Sequence, residues 1–199
     1  MKLIPTHFRH VFGPVKAFCY SVEYQKRGMP HIHMLLTLDE EKIQMNPSFV
    51  DNLISAENVP LPAVNDHSPE AEQARKLRKL VGDFQLHTCS DNHCLRDDGK
   101  CEKRFPRDFS TETILSDNFT QYRRRTPECG GVNFETEPRN GLVNIYTNER
   151  VVPYNEFLLL KYGCHHDLEW VGHQQKALEY TLKYLLKGKW FIWLRRTCF

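Results

Sequence analysis

The tightest constraint on how this chain can fold lies at residues 30–36, PHIHMLL, where two histidines stand two apart on an apolar background. Side chains on a strand alternate between faces, so His31 and His33 share one face and Ile32 takes the other. A second apolar run, Phe18 to Tyr24, precedes it, and between them Lys26, Arg27, Gly28 and Pro30 have turn composition. The two runs therefore predict a hairpin whose second strand is His31 to Leu38. The hairpin sets Glu23 across from the histidines as leading third ligand for a divalent metal, with Gln25, on the same face of its strand, as the fallback. Two imidazoles and one carboxylate leave coordination positions open for a phosphate oxygen. An HxH strand also occurs in unrelated metal enzymes and in plain sheets, so the reading needs a complementary group elsewhere in the chain.

The best helix of the sequence, Gln174 to Lys187, supplies one. It is closed by Gly188, the residue type that favours a helix C-terminus. At about 100° per residue, Tyr180, Lys183, Tyr184 and Lys187 fall on one face, and Leu178, Leu182, Leu185 and Leu186 on the other. The leucines face a core, so the tyrosines and lysines face solvent, a cleft or a partner. A tyrosine hydroxyl can attack a phosphodiester and conserve the bond as a 5′-phosphotyrosine. That chemistry needs a cation on the scissile phosphate and positive charge beside it, which a metal and a lysine provide. A solvated or passively DNA-binding helix face would carry the same residues.

Between these segments the chain turns irregular. Asp39 to Pro69 carries Pro47, Pro60, Pro62 and Pro69 and reads as a loop or insertion with no room for a long helix. Glu70 to Val81 places Ala71, Ala74, Leu77 and Leu80 at helical spacing. Leu142 to Tyr146 reads as a strand, Tyr154 to Tyr162 as a short helix or extended segment, and His165 to Val171 as a further strand. Strands and helices mix without βαβ alternation, which makes the fold class α+β with a largely antiparallel sheet. With 199 residues one domain is expected over 1–199, its core at about 15–40 and 140–190.

Seven cysteines and ten histidines occur, with no secretory signal, a usage that favours a reduced compartment and metal ligation over disulfides. Most of that density falls in 85–110, a stretch too polar to build its own core. His87, Cys89, Cys94 and Cys101 suffice for a tetrahedral structural zinc site, with His93 as a competing ligand and an irregular cysteine spacing. Such a site would brace CEKRFPR, whose Arg104 and Phe105 are candidates to meet DNA backbone and bases. Arg123, Arg124 and Arg125 form a second basic cluster, expected with Arg104 to contact DNA phosphates. Six lysines or arginines (176, 183, 187, 189, 195, 196) crowd the C-terminal segment, although the net charge is only +2.

VEYQKRGMPHIHMLL (22–36) resembles the HUH motif region of the Helitron replication-initiator, or helitron helicase-like, domain. EYTLKYLLKG (179–188) resembles that family's two-tyrosine motif, and CEKRFPRDF (101–109), YRRR (122–125) and VVPYNEFLLLKYGCHHDLEW (151–170) follow the family's order. The resemblance covers 18–188. It implies an HUH/Rep-type central antiparallel sheet with flanking helices, here with a small Cys/His zinc insertion and a truncated N-terminus. It also implies a Mg²⁺- or Mn²⁺-dependent endonuclease and strand transferase of a Helitron-like rolling-circle transposon. Glu23, His31 and His33 would be its metal ligands, Tyr180 and Tyr184 its nucleophiles, and Lys183 and Lys187 its phosphate partners.

The partners so implied are single-stranded DNA and a helicase in cis or trans. A catalytically inactive remnant that binds single-stranded DNA is the alternative, and a covalent adduct separates the two. A metallohydrolase using HxH on a small molecule would be indifferent to loss of both tyrosines. No run approaches the roughly 18 apolar residues of a membrane span. The expected location is intracellular, nuclear in a eukaryote, and not secreted.

Overall fold

The computed structural model describes residues 10–24, 28–89, 94–116, 119–136, 142–172, 179 and 193–196. Helix and antiparallel sheet are mixed, and the chain divides into two compact units. The first comprises Met1–Asn46, Asp117–Phe119 and Val171–Phe199, the second Pro47–Ser116 and Thr120–Trp170. Of the expected core, residues 15–40 fall in the first unit and 142–170 in the second.

The first unit is built on the predicted hairpin. Strand β1 (Val15–Tyr24) pairs antiparallel with β2 (Pro30–Leu38), in a register that sets Glu23 opposite His31, Val22 opposite Ile32 and Ser21 opposite His33. A register irregularity between Val15 and Ala17 marks the start of β1. At that end the Asp39 amide donates to the Pro14 carbonyl at 2.8 Å. On its other edge β1 pairs with the last strand, Trp193–Arg196, giving a three-stranded sheet in which β1 is central. Nothing in the sequence reading anticipated that strand, because its partner lies at the far end of the chain.

The second unit carries most of the helix. Helix α1 (Pro47–Leu53) starts on a proline, which the first turn tolerates because its missing N–H has no intrahelical partner there. Helix α2 (Pro69–Phe84) runs longer than the predicted 70–81. Its N-cap Ser68 accepts the Ala71 amide at 3.2 Å, Pro69 fills the first position and Glu70 and Glu72 sit in the first turn. Helix α3 (Glu156–Tyr162) is capped by Asn155, whose Oδ1 accepts the Leu158 amide at 2.9 Å, and closes on Gly163 with φ 56°. A two-stranded ribbon, Phe134–Glu135 with Ile145–Tyr146, takes up the end of the strand expected at 142–146, and Leu142 sits in a bridge.

Two apolar clusters hold this unit. Leu77 and Val81 of α2 pack on Val151, Tyr154 and Leu159, while Val50, Ile54 and Ala56 pack with Tyr122, flanked by Phe49 and Trp170. Leu159, Val50, Val81 and Val151 are wholly buried, so each contributes roughly 1.5–3 kcal/mol relative to exposure.

Polar side chains do the rest of the assembly. Gln85, fully buried, donates Nε2 to the His166 carbonyl at 2.7 Å and accepts the His166 amide on Oε1 at 3.2 Å. Asn148 accepts the Asn58 amide at 2.7 Å and donates to the Arg125 carbonyl at 2.8 Å. These bonds explain why 165–171 is not the strand its composition suggested. The Leu168 amide goes to the Pro153 carbonyl and the Trp170 amide to the Tyr122 hydroxyl, so its backbone is satisfied group by group and no ladder forms.

Candidate functional site

The hairpin places Glu23, His31 and His33 on one face of the sheet, because directly opposed residues of an antiparallel pair share a face. His33 is the more covered of the two strand neighbours: its side chain is 13% exposed, whereas Ile32 on the opposite face is 56% exposed. Glu23 Oε2 stands 3.4 Å from His33 Nε2, and the His31 and His33 rings meet edge to face with centroids 4.6 Å apart. Opposite His33 sits Ser21, small and buried. Two imidazoles beside a carboxylate suit a divalent first-row transition ion as a donor set. Gln25, the fallback ligand, lies outside the described residues, as do Tyr180, Lys183, Tyr184 and Lys187.

Among the described residues, the group of three or more donors whose ligand atoms already converge is His87, Cys89, Cys94 and Cys101, all within 4.8 Å of one another. This quartet could hold a metal such as zinc. Three pieces of local structure bring it together. Leu86 bridges to Val151 and the His87 amide donates to the Arg150 carbonyl at 2.8 Å, which fixes the start of the segment just after α2. A tight loop then carries Cys94 back to Cys101: Leu95 bridges to Cys101, the Arg96 amide donates to the Lys100 carbonyl, and Gly99 (φ 74°) supplies the left-handed turn residue of the DDG sequence. Finally, the Arg107 amide donates to the Glu149 carbonyl at 2.9 Å and closes the segment.

His87 Nε2 lies 3.3 Å from Cys101 Sγ and 3.6 Å from Cys94 Sγ. Burial, and then the positive charges of Arg150, Lys103 and Arg107, push the His87 imidazole below its ordinary pKa and keep it a neutral donor. Burial raises the Cys101 thiol, but the backbone N–H groups of Phe105 and Lys103 and the neighbouring thiols outweigh it and hold Cys101 below the ordinary value. Cys89 moves the other way: burial and the two thiols raise it against the pull of Arg150, whose Nη1 donates to Cys89 Sγ at 3.4 Å. His93, the competing ligand, lies outside the described residues.

Two expectations for DNA contact are corrected by burial. Phe105 is 9% exposed and stacks on the His87 ring with centroids 4.3 Å apart, so its face is already occupied. Arg124 is 3% exposed, and its Nη1 donates to the carbonyls of Ala56, Asn148 and Val151 at 3.2, 2.6 and 2.6 Å. A guanidinium fixed in the interior on three carbonyls does not reach a phosphate. Its neighbours alternate outward, each about a third exposed, and are engaged by acids: Arg123 with Asp51 and Glu57, Arg125 with Glu57 at 2.6 Å. Arg104 is exposed, in a turn where its φ is 62°. Sequence reasoning missed Arg150, which lies far along the chain from Cys89, the thiol it contacts, and no local pattern links the two.

The chain is thus a mixed helix-and-sheet protein with a histidine–carboxylate sheet face in one unit and a Cys/His ligand quartet in the other. Residues 1–36 match a family model described as the Helitron helicase-like domain at the N-terminus. The matched stretch takes in β1 and β2 as far as Leu36, and with them Glu23, His31 and His33. No curated protein matches the sequence. Among the described residues no helix is long and apolar enough to cross a membrane.

Proposed function

We propose that this chain is a tyrosine-type, metal-dependent single-stranded DNA endonuclease and strand transferase of a Helitron-like rolling-circle element. The observation that carries the reading is the common sheet face of Glu23, His31 and His33, with Glu23 and His33 3.4 Å apart inside the family-matched stretch. A divalent ion, magnesium or manganese, held by these three side chains would draw negative charge from the scissile phosphate. The hydroxyl of Tyr180 or Tyr184 gives up its proton and bonds to phosphorus. The bond to the 3′-oxygen breaks, that oxygen takes up a proton, and the 5′ end stays on the tyrosine. A later 3′-hydroxyl attacks the same phosphorus and restores the tyrosine, so no nucleotide cofactor is consumed. Lys183 and Lys187 neutralise the extra charge of the pentavalent state. Single-stranded DNA is the substrate, a helicase in cis or trans exposes it, and the protein works inside the cell, in the nucleus of a eukaryote. Zinc on the Cys/His quartet takes no part in strand transfer.

The test is a denaturing-gel shift with labelled single-stranded DNA from a transposon terminus and Mg²⁺ or Mn²⁺. Wild-type protein yields a covalent adduct that EDTA abolishes, and Tyr180→Phe combined with Tyr184→Phe removes it. An adduct that persists in the double variant would refute the tyrosine mechanism. Salt-sensitive binding with no adduct would instead leave a DNA-binding remnant.

A further inference from the structure

The Cys/His quartet has the ligand set of a closed zinc site. With Zn–S of about 2.3 Å and Zn–N of about 2.0–2.1 Å, a regular tetrahedron has S···N edges of about 3.6 Å. The two S···N separations from His87 to Cys101 and Cys94, 3.3 and 3.6 Å, match that edge, and the remaining ligand atoms fall within 4.8 Å. Four protein donors leave no position for water or substrate, which distinguishes a structural from a catalytic zinc. Three thiolates, one neutral imidazole and Zn²⁺ carry one net negative charge, and Arg150 supplies a guanidinium N–H directly on Cys89 Sγ.

The hydrogen bonds around the quartet give it a reach beyond its own loop. Residues 85–87 and 107 are tied to 149–152 through Val152 to Gln85, His87 to Arg150 and Arg107 to Glu149. The same 148–151 stretch contributes two of the three carbonyls that hold Arg124. We propose that His87, Cys89, Cys94 and Cys101 bind one zinc ion as a closed tetrahedral site, and that this ion holds residues 86–89 and 94–107 against 147–152 so that the second unit is fully folded only in its zinc form. The segment has little apolar surface of its own; among its described residues the buried apolar side chains are Cys94 and Phe105. Metal binding and folding are therefore one equilibrium here.

Zinc content, cobalt substitution and amide exchange on the full chain test this without DNA, so the outcome is separate from that of the nuclease reading. One zinc per chain is expected, and Co²⁺ in its place gives the intense visible bands of a tetrahedral thiolate site. Removing zinc with a chelator should speed exchange of the His87, Arg107 and Val152 amides by about a hundredfold or more, while the Asp39 amide of the hairpin unit stays within about threefold. Cys94→Ser and Cys101→Ser should lose zinc; Cys94→His, which keeps a fourth ligand, should retain it, as should Cys129→Ser and Cys164→Ser at exposed cysteines outside the quartet. Substoichiometric zinc, retention of zinc by both quartet serine variants, loss of zinc in the Cys129 or Cys164 variants, or unchanged exchange after chelation would each overturn the proposal.

Discussion

Arg124 offers the sharpest test of the polar interior, because its sequence context suggests a DNA contact and its surroundings say otherwise. Burial, reinforced by the like charge of Arg107, pushes its guanidinium down to about 10, still well above neutral pH, so it is a buried cation. Truncation to alanine strands the carbonyls of Ala56, Asn148 and Val151. Each bond to a charged donor is worth roughly 1.5–3 kcal/mol net, and such bonds do not add fully. Leaving buried acceptors unsatisfied costs roughly 1–3 kcal/mol each, and since three such losses do not add fully, a total of about 3–5 kcal/mol is the expectation for Arg124→Ala. A domain whose whole stability is about 5–15 kcal/mol would lose a large part of it. Urea unfolding, followed by exchange of second-unit amides such as Val152, gives the number. Arg124→Lys should recover only part of the loss, since an ammonium cannot reproduce the fork geometry. Arg104→Ala, at an exposed position, should stay within about 0.5 kcal/mol. A loss below about 1 kcal/mol for Arg124→Ala, accompanied by weaker DNA binding, would refute the interior role and restore the phosphate-contact reading.

Other predictions follow from neighbouring contacts. Burial alone would raise the Glu57 carboxyl, but the donors and charge of Arg125, joined by Arg123, hold it below the usual range. A depressed carboxyl adds stability above its unfolded pKa of about 4.3 and loses it as pH falls through the lower folded value. Urea midpoints measured downward from pH 5 should therefore drop more steeply for wild type than for Glu57→Gln. Tyr154→Phe removes a buried hydroxyl that donates to the Glu57 carbonyl at 3.1 Å and should cost about 1–2 kcal/mol in the same assay. Gly131→Ala puts a methyl against the Arg125 carbonyl oxygen, with the Asn148 amide 2.8 Å away, and should lower the urea midpoint by the equivalent of about 1–3 kcal/mol.

Much of the local structure was legible in the residues. The hairpin announced itself through two apolar runs and a turn, and its register followed from alternation, which is why Glu23 and the two histidines share a face. Helix α2 was readable from its spacing, with Ser68 and Pro69 extending it at the start. The four ligands at 87, 89, 94 and 101 were readable as chemistry even though their spacing is irregular. Long-range pairing was not. Trp193–Arg196 joins β1 across the whole chain, and 165–171 has strand composition but spends its amides on Gln85, Pro153 and Tyr122. Pro47 looked like an obstacle and is a helix's first residue. Arg124 looked like surface because nothing local to YRRR reports that three carbonyls from distant segments converge on its middle arginine.

That convergence changes how a mutational scan of the second unit would look. Gln85, Asn148, Asn155 and Arg124 each close backbone groups from segments far apart in the chain. Substitutions there should be tolerated as poorly as holes in the apolar clusters, and isosteric polar exchanges should rescue little, because donor and acceptor must both be in place. A tolerance map would thus mark these side chains out as though they handled substrate. Separating wiring from chemistry calls for paired readouts of abundance and DNA processing: the wiring positions of this unit should fail both, whereas under the proposed nuclease function Tyr180→Phe and Tyr184→Phe, which lie in the other unit, should fail only the second.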